Sequence, residues 1–167
     1  MSKIIIKNTK YADSRTADEE ITKDKLYEAT AEHLKDVERG MDYISKLIHE
    51  AGLKHDYTKM DAFDQYAEDV LRALPEEEFI KQDWNQRHIF EERHHLNSNV
   101  PIDVNLIDVI EMIVDCVMAG RGRAGHLTHK YLKLQDPTVL ERAYWNTVKL
   151  LDDVVVVSDS EELNVGE

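Results

Sequence analysis

The sequence predicts an all-α protein, on three observations. Apolar residues recur at helical rather than strand spacing along most of the chain. Only six glycines and three prolines interrupt 167 residues. No internal repeat or linker composition divides the sequence, so one domain is expected, with a helical core over about 24–153 and extensions at 1–20 and 154–167.

Each element has its own signal. Over 24–51, Thr30, Leu34, Val37, Met41, Ile44, Ile48 and Ala51 step by four and three, which makes one apolar face. Gly52 is the expected stop. A second helix is expected from Asp61 to Leu74, ended by Pro75. Pro75 and three glutamates suit the start of a third, "PEEEFIKQDWNQRHIFEERHH". "NSNVP" (97–101) reads as a loop, "DVNLIDVIEMIVDCVMAG" (103–120) as the central helix, and "GRGRAGH" (120–126) as a loop or broken helix. The last helix covers 136–153, with Asp136 as N-cap and Pro137 in the first turn.

The two ends differ from the rest. "KIIIK" and "VVVV" (154–157) are β-branched. Lys3, Lys7 and Lys10 flank the first, while Asp152, Asp153, Asp159, Glu161 and Glu162 flank the second. Opposite charge favours pairing as a short sheet, within one chain or across a homodimer. Two strands alone are marginal in water, so the ribbon should rest on the helical body or join a partner's ribbon.

Composition narrows the function. Lys plus Arg is 21 against 34 Asp plus Glu, a net charge of -13. Nucleic acid and anionic membrane would repel such a chain. A small nucleotide remains open, because a bound metal can invert the local sign. The one cysteine, Cys116, allows no disulfide within the chain, so a reducing cytoplasm is expected. No apolar stretch approaches the ~20 residues that span a bilayer, and "MSKIIIKNTK" lacks the features of a signal peptide.

Eight histidines carry the chemical signal. His33 and His49 lie on the first helix, and His55 precedes Asp56 in "HDYTKM". His88, His94 and His95 form "RHIFEERHH", with Glu91 and Glu92 between them, and His126 and His129 follow the glycine-flanked stretch. His88 and His95 are seven apart and would share a helix face. Glu111 and Asp115 are four apart in the apolar helix, so both carboxylates point the same way. They are costly there unless a cation pairs with them. Singly, each has a plain reading: His33 on a polar face or satisfied in the core, His49 at a solvated helix end, "HDYTK" a turn, His94–His95 a helix terminus. Glu111 and Asp115 could pair with Arg121, Arg123 or a lysine. Together, imidazoles and carboxylates are the ligand set of a divalent transition metal: Mn, Fe, Co, Ni or Zn.

The order His33, "HDYTK", "RHH", "EMIVD" resembles the HD superfamily of metal-dependent phosphohydrolases. That family's pattern is a helical His, a His-Asp doublet and a distant helical Asp, and some members bind a second metal through extra histidines between them. The chain is also similar, over about 30–150, to a family of small phage and bacterial proteins sharing "EH", "V...M", "HD.SK", a His-His stretch and "NL.DLIEML.DW". Here the matching segments read "EHLKDVERGM", "HDYTK", "RHIFEERHH" and "NLIDVIEMIVDC". Thr58 stands where Ser or Gly is usual, and Cys116 where the second family tends to have Trp.

The resemblance implies an HD-domain-like helical bundle, a phage or bacterial source and, if phage-encoded, the host cytoplasm. It implies metal ligands among His33, His55, Asp56, His88, His94, His95 and Asp115. A metal so held would make water nucleophilic toward a phosphoester. Asp56 would ligate and orient, Lys59 would stabilise phosphoryl charge, and Glu111 would orient a ligand or accept a proton. Arg121 and Arg123 would grip the phosphate of a small partner such as a nucleotide. His33 joins only if its helix breaks. Unbroken from His33 to Ala51 it spans roughly 27 Å at ~1.5 Å per residue, too far for a short loop to return. A break at "RGMD", with Gly40 and Asp42 as caps, would rescue it. The competing expectation is a non-catalytic acidic helical protein that binds a host protein, its histidines structural or holding a structural metal.

Overall fold

The computed structural model describes residues 3–7, 21–126 and 134–158. His129, Lys10, Asp159, Glu161 and Glu162 lie outside the described residues. The elements are β1 Ile4–Lys7, α1 Lys23–Lys54, α2 Tyr57–Asp61, α3 Phe63–Leu71, α4 Glu76–Phe79, α5 Asp83–Glu91, α6 Leu106–Ala124, α7 Thr138–Asp152 and β2 Val155–Ser158. The fold is mostly helical, as the periodicity requires. No helix among the described residues is long and apolar enough to cross a membrane.

The chain sorts into two compact units, Met1–Lys46 with Val148–Glu167, and Leu47–Thr147. The first holds the ribbon. β1 and β2 pair in parallel within one chain, from Ile4 opposite Val155 to Lys7 opposite Ser158. The Ile4 amide extends the ladder by donating to the Val154 carbonyl at 2.9 Å. Ile4 and Val154 are buried. Ile4, Ile6, Val155 and Val157 share a cleft with Val37 and Gly40 of α1, so a helix supplies the support two strands need. Lys7 reaches Glu32 of α1 at 4.0 Å.

α1 begins where Thr22 Oγ1 accepts from the Lys25 amide at 3.3 Å. It does not stop at Gly52 but runs on to Lys54, and it passes Gly40 without a break. Its predicted apolar face is open in part: Leu34 and Met41 are each 65 % exposed, while Ala29 and Tyr43 are buried.

The second unit has a core of Leu96, Val104, Val109, Met112, Val139 and Ala143, drawn from the segment after α5, from α6 and from α7. α6 opens with a capping box: Asn105 Oδ1 accepts from the Ile107 amide at 2.9 Å, and the Asn105 amide donates to Asp108 Oδ2 at 2.9 Å. Asp108 also receives Arg93 as a fork, Nε at 2.7 Å and Nη2 at 2.9 Å. That fork fastens the residues after α5 to the start of α6.

Two predicted helices differ from expectation, one shortened and one resolved into a pair. The predicted 61–74 helix is α3, shortened to Phe63–Leu71, while α2 is a separate turn of helix at 57–61, set off from it at Ala62; the helix opened by Pro75 becomes α4 and α5. Tertiary contacts override periodicity here. Trp84 is buried, donates to Asp69 Oδ2 at 2.8 Å, and meets Tyr66 and Phe79 edge-on. The expectation of a loop or broken helix at "GRGRAGH" is corrected too. α6 continues through Gly120 and Gly122 to Ala124 and ends at Gly125 in the left-handed conformation, φ 71. Asp136 caps the last helix as expected, its Oδ1 accepting from the Thr138 amide at 3.0 Å.

Two outcomes test this description. Amide exchange at Ile4–Ile6 should be slow, and deleting residues 154–167 should abolish the protection; fast exchange in the intact chain would refute the ribbon. Ala73, exposed between α3 and Pro75, holds φ 50. Ala73→Gly should therefore stabilise the fold by about 1 kcal/mol. A lower urea midpoint for the variant would refute that.

Candidate metal centre

The chain leaves α1 at Lys54 and reverses through Asp56, which is left-handed at φ 58. Aspartate is among the few side chains that accept this conformation. Asp56 stands at the N-cap of α2, yet its carboxylate makes no cap bond. Oδ2 accepts from Lys59 Nζ at 2.6 Å. Oδ1 is buried without a hydrogen-bond partner, and His88 Nε2 lies 3.6 Å from it, His94 Nε2 3.7 Å.

His94 repeats the pattern. Both its ring nitrogens are buried without a hydrogen bond; Nδ1 is 3.0 Å from Glu111 Oε1 but misaligned. His55 joins α6 through Nδ1, 3.0 Å from Glu111 Oε1, while its Nε2 is 3.5 Å from Asp115 Oδ1 and 3.7 Å from Asp56 Oδ2. Ligand atoms converge in two neighbouring trios, His55 with His94 and Asp115, and Asp56 with His88 and His95; Glu92, His94 and Glu111 form a third. The two oxygens of Asp56 face both of the first two.

These separations test the fit to a metal. Gaps of 3.5–3.7 Å are too long for hydrogen bonds. Nitrogen and oxygen ligands about 2.0–2.1 Å from a tetrahedral ion lie roughly 3.3 Å apart. The buried Asp56 Oδ1 and His94 Nε2, which make no hydrogen bond, are thus spaced as ligands rather than as hydrogen-bond partners. These His, Asp and Glu groups can hold a metal ion.

Most predicted site residues are brought together: His55, Asp56, Lys59, His88, His94, His95, Glu111 and Asp115. His33 is not. The "RGMD" break is absent, and the 22 residues from His33 to His55 span about 33 Å along and just past unbroken α1. His88 and His95 do meet, Nε2 to Nε2 at 2.7 Å, but not by sharing a helix face. α5 ends at Glu91, and Glu92 turns extended at φ -80, ψ 114, so that His94 and His95 fold back.

A cleft of about 580 Å³ opens beside the centre, lined by Lys59, His94, His95 and Asp115, with Leu96, Met112, Cys116, Ala119 and Arg123. Asp115, Ala119 and Arg123 are four apart on one face of α6, which is why the continuation of that helix matters. Arg121 lies off this face and turns to the Gly125 carbonyl at 3.4 Å.

Two residues were missed as contributors. Thr58 and Glu92 are buried behind His88. Thr58 Oγ1 lies 2.8 Å from His88 Nδ1 and donates to Glu92 Oε1 at 2.7 Å. The only sequence signal was the spacing of four between His88 and Glu92.

The charges follow from this packing. Asp115, then Glu111, raise His55 to about 10. Burial, with Lys59 and His95 nearby, lowers His88 to about 3. Burial and His94 lower His95 to about 4. Burial pushes Glu111 up, but His55 and His94 outweigh it and hold it at about 2. Burial likewise opposes ionisation of Asp56, and Lys59 overcomes it. His55 is therefore the cation that Glu111 and Asp115 need when no metal is bound.

Because the folded value of His55 lies above the unfolded 6.5, its ion pairs stabilise the metal-free protein fully below that pH. The contribution is lost as pH rises through about 10. A metal on His55 displaces this proton, so binding should release about one proton near pH 7.5 and strengthen with pH. Titration calorimetry in two buffers of different ionisation enthalpy reads the number; identical heats would remove His55 as a ligand. No family model, curated protein or solved structure matches this chain.

Proposed function

We propose that this protein is a metal-dependent phosphohydrolase acting on a small phosphoester, with nucleotides the first class to test. One observation carries the reading: the buried, unpartnered Asp56 Oδ1 facing two imidazole Nε2 atoms, at the edge of a cleft lined by Lys59 and Arg123.

When bound, divalent ions at the two trios would supply Lewis acidity and a water of lowered pKa. Asp56 faces both trios and is the residue able to bridge them. Lys59 Nζ, held on Asp56 Oδ2, puts a point cation at the cleft wall where phosphoryl oxygens would sit. Glu111 lies 3.0 Å from a ring nitrogen of both His55 and His94, so its role is to orient those imidazoles rather than to act as a free base. Arg123 makes no ion pair among the described residues and is placed to take an anionic group of the substrate. Leu96, Met112 and Ala119 offer an apolar wall for the rest of the molecule.

A second reading, an acidic helical binding protein with structural histidines, has one observation in its favour: the open Leu34, Val37 and Met41 face of α1.

Protein grown in metal-replete medium should purify with about one or two first-row metals per chain. Asp115→Ala and His55→Ala should each empty at least one position. Lys59→Ala should lose hydrolysis more than metal. Elemental analysis and a panel of nucleoside mono-, di-, tri- and cyclic phosphates check this. Absence of metal, with no thermal shift from Mn, Fe, Co, Ni or Zn, would overturn the site. Metal-loaded protein inactive across the panel would favour the binding protein.

A further inference from the structure

We infer that Thr58 and Glu92 are a positioning pair that fixes the tautomer of His88, holding its proton on Nδ1 so that the Nε2 lone pair faces Asp56 and His95. This rests on the reading of His88 as a metal ligand only for its purpose; the tautomer stands or falls by itself.

Glu92 Oε1 is met by two donors from one residue, the Thr58 amide at 3.0 Å and the Thr58 hydroxyl at 2.7 Å. A hydroxyl has one hydrogen to donate, and here it is donated to the Glu92 carboxylate. The 2.8 Å contact between Thr58 Oγ1 and His88 Nδ1 is then a hydrogen bond only if Nδ1 carries the hydrogen. All three residues are buried, Thr58 at 1 % exposure, so water cannot substitute for any partner. With one proton on a neutral ring, Nε2 is left as a lone pair. It lies 2.7 Å from His95 Nε2 and 3.6 Å from the unpartnered Asp56 Oδ1.

The sequence places the pair economically. Asp56 makes no cap bond for α2. Glu92, at the end of α5, takes the exposed amide of Thr58 instead. One carboxylate therefore caps α2 and orients His88 through a hydroxyl. Second-layer partners of this kind typically change metal affinity by about 10–100-fold.

The test needs no turnover. In metal-stripped, ¹⁵N-histidine-labelled protein, two-bond ¹H–¹⁵N correlations should show His88 protonated at Nδ1. Thr58→Ser should keep that pattern. Thr58→Val, which keeps the shape and removes the hydroxyl, should shift the proton toward Nε2 and weaken titrated Zn²⁺ about 10-fold or more. Wild-type His88 protonated at Nε2 would overturn the inference, as would a Thr58→Val spectrum unchanged from wild type. If Thr58→Val does not fold, the wild-type and Thr58→Ser spectra decide. An Nδ1-protonated His88 in a protein that binds no Zn²⁺ would sustain the tautomer and overturn the proposed metal site instead.

Discussion

Charge compensation around Asp56 is the constraint on which the rest of the centre depends. Four imidazoles and several carboxylates share one half-buried place. Carboxylates cannot be taken from water without a cation. In the metal-free protein Lys59 supplies one on Asp56 Oδ2, and protonated His55 supplies another between Glu111 and Asp115. That leaves Asp56 Oδ1 and both nitrogens of His94 without a hydrogen bond. An unsatisfied buried polar atom costs about 1–3 kcal/mol, so three in one place are a standing cost that a cation ligated at their centre would remove.

The scaffold spends structure to hold this arrangement. Asp56 occupies a left-handed conformation and gives up its cap bond to point its carboxylate inward. The Arg93 fork on Asp108 ties the residues just before His94 to the first turn of α6, and Glu111 and Asp115 stand one and two turns further along. The register of His94 against Glu111 is thereby set by a salt bridge outside the centre. Thr58 and Glu92 do the same for His88 from the other side. Sites at which a chain breaks its local rules are where function is to be sought, and here a positive φ, an N-cap residue that makes no cap bond and buried atoms without hydrogen bonds coincide.

The acidic surface and the cleft act in opposite directions on ligand choice. A net charge of -13 disfavours long polyanions. Within the cleft, Arg123 and Lys59 present positive charge beside an apolar wall. The proposed function accordingly takes a small ligand with an anionic end.

The sequence alone determined the helical class, the capped start of α7, the pairing of the β-branched ends and the identity of most of the centre. Class and capping are local properties, written in neighbouring positions; the ends were matched by strand propensity and opposite charge, and the residues of the centre by their type and the family resemblance. Tertiary structure decided what local pattern cannot. Trp84 packing on Asp69, Tyr66 and Phe79 accompanied the shortening of the predicted 61–74 helix and the division of the predicted 75–95 helix. The unbroken α1 excluded His33, and the continuation of α6 chose Arg123 over Arg121. Thr58 and Glu92 were given no role because a hydroxyl and a carboxylate gain one only when folding buries them 2.7 Å apart against an imidazole. Convergence of residues 34 positions apart in the chain depends on where three helices end, and no spacing in the sequence encodes that.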